Sequence, residues 1–289
     1  MGKILITGAA GYLGAAVFEA LKFHQNVVRL TGRLEDIQPA SLDCDLVVHC
    51  AGALRHRTED LQRCNVEGTR RLLEGLPPAC RMIYISSKSV YRANDVESLT
   101  EDAPVAPFDA YGRSKQLGEQ LVMTDGRPWI ILRSGTLFGL GIENPGITFP
   151  SKAMRDFFER REVVLFDPDV IQDYLYVRDL AMLIAGFIFR KEGWNEVYNV
   201  AGPPRSLYQL IQAVADRVEK IQGHKPVIRK VSGGTPWINR LDSSKLEKVA
   251  GAIQYTDDAS VIALLSEYLK RSIRPVGVKK IPFHVSKMI

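Results

Sequence analysis

Three glycines at a fixed spacing follow the first apolar run of this sequence. The run ILIT at residues 4–7 predicts a buried β-strand, and Gly8, Gly11 and Gly14 follow it as a helical pattern begins at Tyr12. The first glycine permits a tight turn, the second lets a pyrophosphate approach the helix N-terminus, and the third allows close packing of the helix on the sheet. The spacing therefore predicts a dinucleotide-binding turn. The alternative is a glycine-rich turn without a ligand.

Short apolar runs alternate with helical patterns after this turn. The predicted strands are KILIT, NVVRL, DLVVHCAG, RMIYISS and WIILR, which begin at Lys3, Asn26, Asp45, Arg81 and Trp129. The predicted helices run from Tyr12 to about Phe23, from about Leu61 to Leu76, and from Tyr111 to about Met123. This order predicts an α/β fold with a parallel sheet covered on both faces, and right-handed crossovers make it a doubly wound Rossmann sheet.

The length of the chain, 289 residues with 46% hydrophobic, allows one large domain with a smaller lobe. The pattern changes after Arg133, where glycines and prolines cluster in GLGIENPGITFP, and helical patterns dominate from Gly202 on. We expect a smaller, mainly helical, substrate-binding lobe in this half. The expected bounds are 1–140 for the Rossmann domain with 163–202 returning to it, 141–162 and 203–272 for the substrate-binding lobe, and 273–289 for a basic tail.

The net charge of +5 is concentrated at the end of the sequence, from Tyr268 on. Six Lys/Arg and no acid lie between Tyr268 and Ile289, which leaves 32 basic and 33 acidic residues elsewhere. A basic tail can contact nucleic acid or an acidic surface. Because no nucleic-acid-binding module is recognised in the sequence, we expect a solvated tail and no nucleic-acid partner.

We expect neither a membrane span nor a metal site. The longest apolar run, LAMLIAGFIF from Leu180 to Phe189, is too short to cross a bilayer and predicts a buried helix segment. The first strand begins at residue 3, which leaves no room for a signal peptide, so a cytoplasmic location is expected. The cysteines form no CxxC pair and share no ligand spacing with histidines, which predicts buried or half-buried thiols. They are Cys44, Cys50, Cys64 and Cys80.

Seven further motifs follow the glycine turn. They are HCAG from His49, NVEGT from Asn65, SSKSVY from Ser86, YGRSK from Tyr111, ILRSGTLFG from Ile131, QDYLYVRDLA from Gln172 and YNVAG from Tyr198. Together with GxxGxxG, they resemble the extended short-chain dehydrogenase/reductases, also called the NAD-dependent epimerase/dehydratase family, over nearly residues 3 to 250. The resemblance implies an NAD(P)-dependent oxidoreductase or epimerase. It also implies a homodimer formed through a four-helix bundle of the helices around Glu67 and Tyr111.

A tyrosine and a lysine four residues apart form the predicted catalytic pair. Tyr111 and Lys115 share one face of a helix. A phenol has a pKa of about 10, and a neighbouring ammonium group lowers it, so the pair can exchange a proton with a carbonyl or alcohol while nicotinamide moves the hydride. The resemblance implies that Ser87 is the catalytic serine, which hydrogen-bonds the reacting oxygen. Dehydratases of the family carry an Asp-Glu pair where this chain has Lys88 and Ser89, which argues against a 4,6-dehydratase.

The residues after the second predicted strand bear on the choice of cofactor. Family members that prefer NAD carry an acid there, which holds the ribose 2′-hydroxyl group. This chain reads VVRLTGR, with Arg29 and Arg33 and no acid before Glu35. Since an arginine suits a 2′-phosphate, we predict NADP(H), with NAD as the alternative. The residues implied to bind the cofactor are Gly8, Ala10, Gly11, Tyr12, Leu13, Arg33, Asp36, Ile37, Cys50, Ala51, Gly52, Tyr111 and Lys115.

The sequence constrains the identity of the substrate less than that of the cofactor. The short segment between Thr31 and Asp45 leaves almost no third strand and resembles the dTDP-4-dehydrorhamnose reductase branch, whereas DYLYVRDLA resembles nucleotide-sugar epimerases and related ketoreductases. A packing or surface role is the alternative for each substrate-binding candidate. These candidates are Lys88, Phe149, Leu165, Asp173, Tyr174 and Arg240.

Four functions are compatible with these motifs. The first is NADP(H)-dependent reduction of the keto group of a nucleotide-activated deoxysugar through Ser87, Tyr111 and Lys115. The second is a nucleotide-sugar 4-epimerase with tightly bound NAD, and the third is a reductase of a non-sugar ketone with an apolar pocket. The fourth, a cofactor-sensing protein without turnover, is disfavoured because Tyr111 and Lys115 are both present. The sequence leaves open the sugar, the nucleotide and the stereochemistry.

Overall fold

The computed structural model of the chain describes residues 2–54, 57–92, 98–139, 148–231, 240–263 and 266. The strands in these residues are β1 (Ile4–Thr7), β2 (Val27–Arg29), β3 (Leu46–His49), β4 (Arg81–Ser87), β5 (Trp129–Ser134), β6 (Thr136–Phe138), β7 (Val163–Phe166), β8 (Ile171–Tyr176), β9 (Glu196–Val200), β10 (Pro204–Ser206) and β11 (Ile228–Val231). The α-helices are α1 (Tyr12–Leu21), α2 (Gly68–Gly75), α3 (Ala110–Thr124), α4 (Phe149–Phe158), α5 (Val177–Ile188), α6 (Leu207–Gln222) and α7 (Ser244–Ala250). Within the described chain, the main sheet has the order β2-β1-β3-β4-β5-β9, and its pairings are parallel.

The strands of the main sheet supply apolar side chains to both of its faces. Along β1, Ile4 and Ile6 pack in one core cluster, whereas Leu5 between them packs in another. The first cluster includes residues of α1 and α5, and the second includes residues of α2 and α3. Because successive side chains of a strand point to opposite faces, helices cover the sheet on both sides. The predicted doubly wound α/β fold is confirmed.

The apolar run that begins at Leu180 lies on α5 and contributes buried residues to the first cluster, as predicted. In the described part of the chain, we find no helix whose length and apolar character would let it cross a membrane.

The segment between β2 and β3 is short, and all of its residues are described. It contains one turn of 3₁₀-helix, Leu34–Asp36, and no strand. Within the described chain, β2 therefore pairs with β1 alone and forms an edge of the main sheet. Leu34 is buried and anchors the turn. This agrees with the prediction of almost no third strand between Thr31 and Asp45.

The helix predicted from Leu61 to Leu76 is wound in two ways. Leu61–Glu67 is π-helical, and α2 continues from it in ordinary α-helical geometry. The Asn65 side chain in the π-helical part accepts a hydrogen bond from the Ala53 N–H at 2.6 Å and donates to Ser114 Oγ at 2.9 Å. Turns of this kind are frequent at functional sites. Here the wider turn presents Asn65 to a loop that borders the glycine turn.

The second half of the chain adds two smaller sheets. Of segment 163–202, β9 joins the main sheet beside β5, whereas β7 pairs with β11, and β8 pairs with β6 and β10. The division of the chain into two domains stays a prediction. The predicted basic tail at 273–289, and most of the glycine- and proline-rich segment after Gly139, lie outside the described residues.

Candidate active site

The glycine turn joins β1 to α1 in the geometry that a bound anion needs. Gly8 has a φ of +62°, and a Cβ on it would lie 2.7 Å from the Ala51 backbone N, so no other residue fits. A Cβ on Gly11 would project into space that, among the described residues, only Gly8 borders. The first turn of α1, all of it described, has neither a side-chain cap nor an acidic residue. The helix N-terminus therefore fits a pyrophosphate group.

A buried histidine connects the turn after β3 to β1. His49 Nδ1 lies 2.7 Å from Thr7 Oγ1, and Nε2 lies 3.0 Å from Thr69 Oγ1. The Thr69 hydroxyl donates to the Asn65 carbonyl at 2.8 Å, so its oxygen accepts the Nε2 proton. Thr7 then donates to Nδ1 and accepts from the Ala51 N–H at 3.1 Å. Burial lowers the pKa of His49 to about 3, so the ring stays neutral and fixes this turn.

The predicted cofactor residues Cys50, Ala51 and Gly52 lie in this turn after β3. Ala51 adjoins the backbone of Gly8, so the turns that follow β1 and β3 are in contact. Burial raises the pKa of the Cys50 thiol to about 12, which keeps it protonated and uncharged. The two turns form one wall at the carboxyl ends of neighbouring parallel strands, where α/β sheets bind their ligands.

A cavity of about 460 Å³ lies beside the glycine turn. Ser87 at the end of β4 and Tyr111 at the start of α3 both line it, so two of the three predicted catalytic residues meet there. Much of the remaining wall is apolar or aromatic. The other lining residues in the described chain are Tyr12, Leu54, Ser134, Gly135, Thr136, Leu137, Phe138, Thr148, Phe149, Pro150, Tyr174 and Leu207.

The position of Tyr111 is set by the start of α3. The Asp109 carboxylate accepts a hydrogen bond from the Gly112 N–H at 2.7 Å and caps the helix. A Cβ on Gly112 would lie 3.0 Å from the Ser89 carbonyl carbon, so α3 packs closely on the turn that follows Ser87. The glycine of YGRSK thus brings the tyrosine and the serine to the same cavity.

Lys115 lies one turn further along α3 and is buried. Its Nζ atom is 4.4 Å from the centre of the Tyr84 ring, a favourable cation–π distance. Burial lowers the pKa of Lys115 to about 8, and the nearby Glu119 carboxylate opposes this shift. Below about pH 8 the side chain is therefore an ammonium group on the face of α3 that also carries Tyr111.

A buried ion pair that could not be predicted from the sequence lies one further turn along α3. Arg133 on β5 donates to the Glu119 carboxylate from Nε at 3.0 Å and from Nη2 at 2.8 Å. Ser86 donates to the same carboxylate at 2.5 Å, and Arg133 also donates to the Tyr91 hydroxyl at 2.9 Å. These bonds hold the end of β4 against α3 and β5. They fix the backbone next to Ser87.

Three of the candidate substrate residues lie at or next to the cavity. Phe149 and Tyr174 line it, and burial raises the pKa of Tyr174 to about 12. Lys88 Nζ lies 3.4 Å from Gln172 Oε1, which is 3.5 Å from the hydroxyl of Thr136 in the cavity wall. Lys88 therefore places a positive charge at the edge of this cavity.

The other three candidates occupy different surroundings. The buried Asp173 carboxylate accepts from the Leu241 N–H at 2.7 Å, which connects β8 to the segment that carries Arg240. Burial raises the pKa of Asp173, and the charges of Lys88 and Arg240 oppose this shift. Leu165 is 1% exposed and packs in the core cluster that includes α1 and α5. This placement favours the packing role for Leu165.

Charged residues surround the end of β2. Arg33 exposes 73% of its side chain, and its Nη1 lies 3.9 Å from Glu35 Oε1. Glu35 forms a closer ion pair with Arg63. Asp36 is exposed, whereas Ile37 packs against the core cluster that includes α2 and α3. Sequence reasoning missed Arg63 because it lies on the helix after β3, far along the chain from Glu35.

Comparison with known proteins gives the family. A family model described as NAD dependent epimerase/dehydratase family matches residues 4–201. This chain belongs to that family. The predictions of the family and of an NAD(P)-dependent enzyme of the extended short-chain dehydrogenase type are confirmed.

Individual proteins similar to this chain carry different names. It is 32% identical over 151 residues to a Streptomyces antibioticus protein named probable dTDP-4,6-dihydroxy-2-methyloxan-3-one 4-ketoreductase, over 47% of this chain and 51% of that protein. It is 24% identical over 287 residues to methionine adenosyltransferase 2 subunit beta of Xenopus tropicalis, over 86% and 82% of the two chains. The structure of UDP-glucuronic acid 4-epimerase from Bacillus cereus with UDP-glucuronic acid and NAD superposes with a TM-score of 0.78 and 21% identity, over 93% and 99%. That likeness shows the fold.

Proposed function

We propose that this protein is an NADP(H)-dependent reductase that acts on the keto group of a nucleotide-activated deoxysugar. The observation that carries the proposal is the meeting of Ser87 and Tyr111 in one cavity beside the glycine turn, with Lys115 buried one turn behind Tyr111. A hydride donor and a proton donor must reach the same carbonyl group, which requires cofactor and substrate to share one cavity. The open N-terminus of α1 supports such sharing.

Tyr111 donates the proton in this mechanism. When bound, the nicotinamide supplies the hydride to the carbonyl carbon. The C=O π electrons move onto the oxygen, and the phenol O–H of Tyr111 transfers its proton there to complete the alcohol. The Ser87 hydroxyl donates a hydrogen bond to the same oxygen and orients it. The Lys115 ammonium group stabilises the phenolate left on Tyr111 and binds the cofactor ribose.

The charges at the two ends of the site support the choice of ligands. Arg33 at the end of β2 suits the 2′-phosphate of NADP(H). Lys88 and Arg240, both close enough to Asp173 to influence its pKa, would bind the diphosphate of a nucleotide sugar. Phe149 and Tyr174 would contact the sugar. The name of the Streptomyces relative, a dTDP-linked 4-ketoreductase, is consistent with this substrate class.

Turnover with dTDP-4-keto-6-deoxyglucose tests the proposal. We would follow nicotinamide absorbance with NADPH and NADH in parallel and identify the sugar product. We expect loss of NADPH in a one-to-one ratio with a new deoxysugar. Tyr111→Phe should lower kcat by about a hundredfold to ten-thousandfold and lower NADPH affinity far less. Tyr208→Phe, on α6 and outside the described cavity lining, is the matched control and should retain activity; full activity in Tyr111→Phe would refute the mechanism.

A 4-epimerase is the second candidate, because a similar fold belongs to a UDP-glucuronic acid 4-epimerase whose structure contains NAD. It would use the same Ser87, Tyr111 and Lys115 but return the hydride to the other face of the sugar. Interconversion of UDP-sugars without net loss of cofactor would support it. Reversible uptake of NADPH by a protein purified without cofactor would count against it.

We also propose a cytoplasmic homodimer that forms through α2 and α3. The exposed apolar residues Leu117 and Met123 on α3 provide contact area for a four-helix bundle. The ion pairs Arg71–Glu74 on α2 and Glu67–Arg70 at its start would lie at the rim of such a bundle.

A further inference from the structure

Five charged side chains form a cluster at the carboxyl ends of β2 and β3. Glu35 belongs to the 3₁₀ turn after β2, Asp60 to the 3₁₀ turn after β3, and Arg63 to the π-helical segment that follows. Arg33 and Arg57 complete the cluster. Three arginines against two acids leave a net charge of +1. In a doubly wound sheet, this edge of the crevice faces the adenosine half of a dinucleotide.

Glu35 is the first acid after β2, and its carboxylate is already paired. Arg63 donates to it from Nη1 and donates to Asp60 from Nη2. A backbone hydrogen bond and the Arg63 guanidinium hold the pKa of Glu35 below its usual value, so it is ionised. A carboxylate that already accepts from a guanidinium group is a weaker acceptor for a ribose hydroxyl group. This pairing therefore works against NAD at the position where an acid would otherwise favour it.

Arg63 retains donor capacity after these two bonds. A guanidinium group has five N–H donors, and the side chain of Arg63 is 44% exposed. Arg33 is still more exposed and only 3.9 Å from the same carboxylate. Both guanidinium groups therefore lie close to the same Glu35 oxygen, Oε1.

We propose that Arg63 is a second cofactor-specificity residue, which acts with Arg33 to bind the 2′-phosphate of NADP(H) and keeps Glu35 from binding the ribose of NAD. This inference rests on the proposed function, because it assigns the cofactor of the same site. Under this proposal, cofactor specificity depends on two segments of the chain. One follows β2 and carries Arg33, and the other follows β3 and carries Arg63. Asp60 and Arg57 hold Arg63 in place from the other side.

Equilibrium binding of NADPH and NADH to the full chain tests the proposal without turnover. Nicotinamide fluorescence would be titrated for the wild type, Arg63→Gln and Arg70→Gln. Arg70 is the matched control because it lies just beyond Arg63, is similarly exposed and forms an ion pair with Glu67. We expect Arg63→Gln to weaken NADPH binding by about tenfold to a hundredfold, as expected for lost bonds to a charged group. NADH should bind more tightly, because Glu35 loses its Arg63 partner and can accept from the ribose. Arg70→Gln should change neither.

A second variant, with the opposite expected effect on NADPH binding, distinguishes a loss of binding contacts from a folding defect. Glu35→Gln removes the negative charge beside the phosphate site and leaves Arg63 present, so NADPH should bind a few times more tightly. Circular dichroism would confirm that each variant is folded. Equal loss of NADPH and NADH affinity in Arg63→Gln, or equal affinities of the wild type for the two cofactors, would overturn the inference while leaving the reductase chemistry intact. A wild type that binds neither cofactor would overturn both.

Discussion

The close packing of α1 on the glycine turn can be tested with one methyl group. In Gly14→Ala, the new Cβ would lie 2.6 Å from the carbonyl carbon of Gly8 and 3.0 Å from the backbone N of Ala9. Non-bonded carbon atoms prefer separations of about 3.5–4.0 Å, so α1 must move by about 1 Å to accept the methyl group. Since the opposing atoms belong to the backbone, a change of side-chain rotamer cannot relieve the contact.

The expected effect follows from two opposing contributions. Overpacking of this kind destabilises a protein by about 1–3 kcal/mol, whereas the better helix propensity of alanine returns at most about 1 kcal/mol. We therefore expect the free energy of unfolding to fall by about 1–2 kcal/mol. Because the helix N-terminus also moves by about 1 Å from its position beside the pyrophosphate site, NADPH affinity should fall by about tenfold or more.

A glycine on another helix provides the control. Gly186 lies in α5, and no described atom lies within 4 Å of the Cβ that alanine would add there. Gly186→Ala should raise the free energy of unfolding by up to about 1 kcal/mol. Urea unfolding followed by tryptophan fluorescence, together with NADPH titration of the native proteins, measures both effects. If Gly14→Ala were as stable as Gly186→Ala and bound NADPH as the wild type does, the packing argument would be refuted.

Two further predictions concern pH and assembly. Because the pKa of buried His49 falls from 6.5 to about 3 on folding, the unfolded chain binds a proton that the folded chain does not, so stability decreases as the pH falls from 6.5 towards 3. Between pH 7 and pH 5 the wild type should lose about 2 kcal/mol more than His49→Gln in urea unfolding, and parallel losses would contradict the buried neutral ring. For the proposed dimer, light scattering should give twice the chain mass for the wild type and for Phe166→Lys, at an exposed position of β7. Leu117→Lys on α3 should give a monomer, since an unpaired ammonium group is costly to bury. A monomeric wild type would exclude the dimer.

The main sheet was predictable from local patterns because its central strands are buried on both faces. The run RMIYISS coincides with β4, WIILR covers all of β5 except its last residue, and the other predicted strands each contain an observed strand of that sheet. Continuous apolar runs of this kind are typical of parallel sheets, and their length distinguishes them from helices. The glycine spacing likewise predicted a turn whose geometry the structure bears out at Gly8 and Gly14.

The pairing of charges could not be predicted in the same way. Glu119 and Arg133 lie on α3 and β5, and Glu35 and Arg63 lie on the segments after β2 and β3. The sequence alone does not indicate which arginine pairs with which acid, because the pairing depends on which elements the fold brings together. The π-helical winding around Asn65 escaped prediction for a related reason. The partners of the Asn65 side chain are in the loop after β3 and on α3, so the local hydrophobic periodicity does not indicate them.

The two edges of the main sheet have a consequence for aggregation. At one edge, β2 has only three residues and ends in Arg29, so it offers a short and charged template to another strand. At the other edge, the Asn199 N–H donates to the Glu101 carboxylate at 2.7 Å, and just beyond β9 the Ala201 N–H donates to the Ser243 hydroxyl at 2.8 Å. Edge strands with unpaired N–H groups recruit strands of other chains. Both edges of this sheet therefore disfavour pairing with a strand of another chain. At high concentration, copies of the chain can contact each other through their helices without forming intermolecular β-sheets.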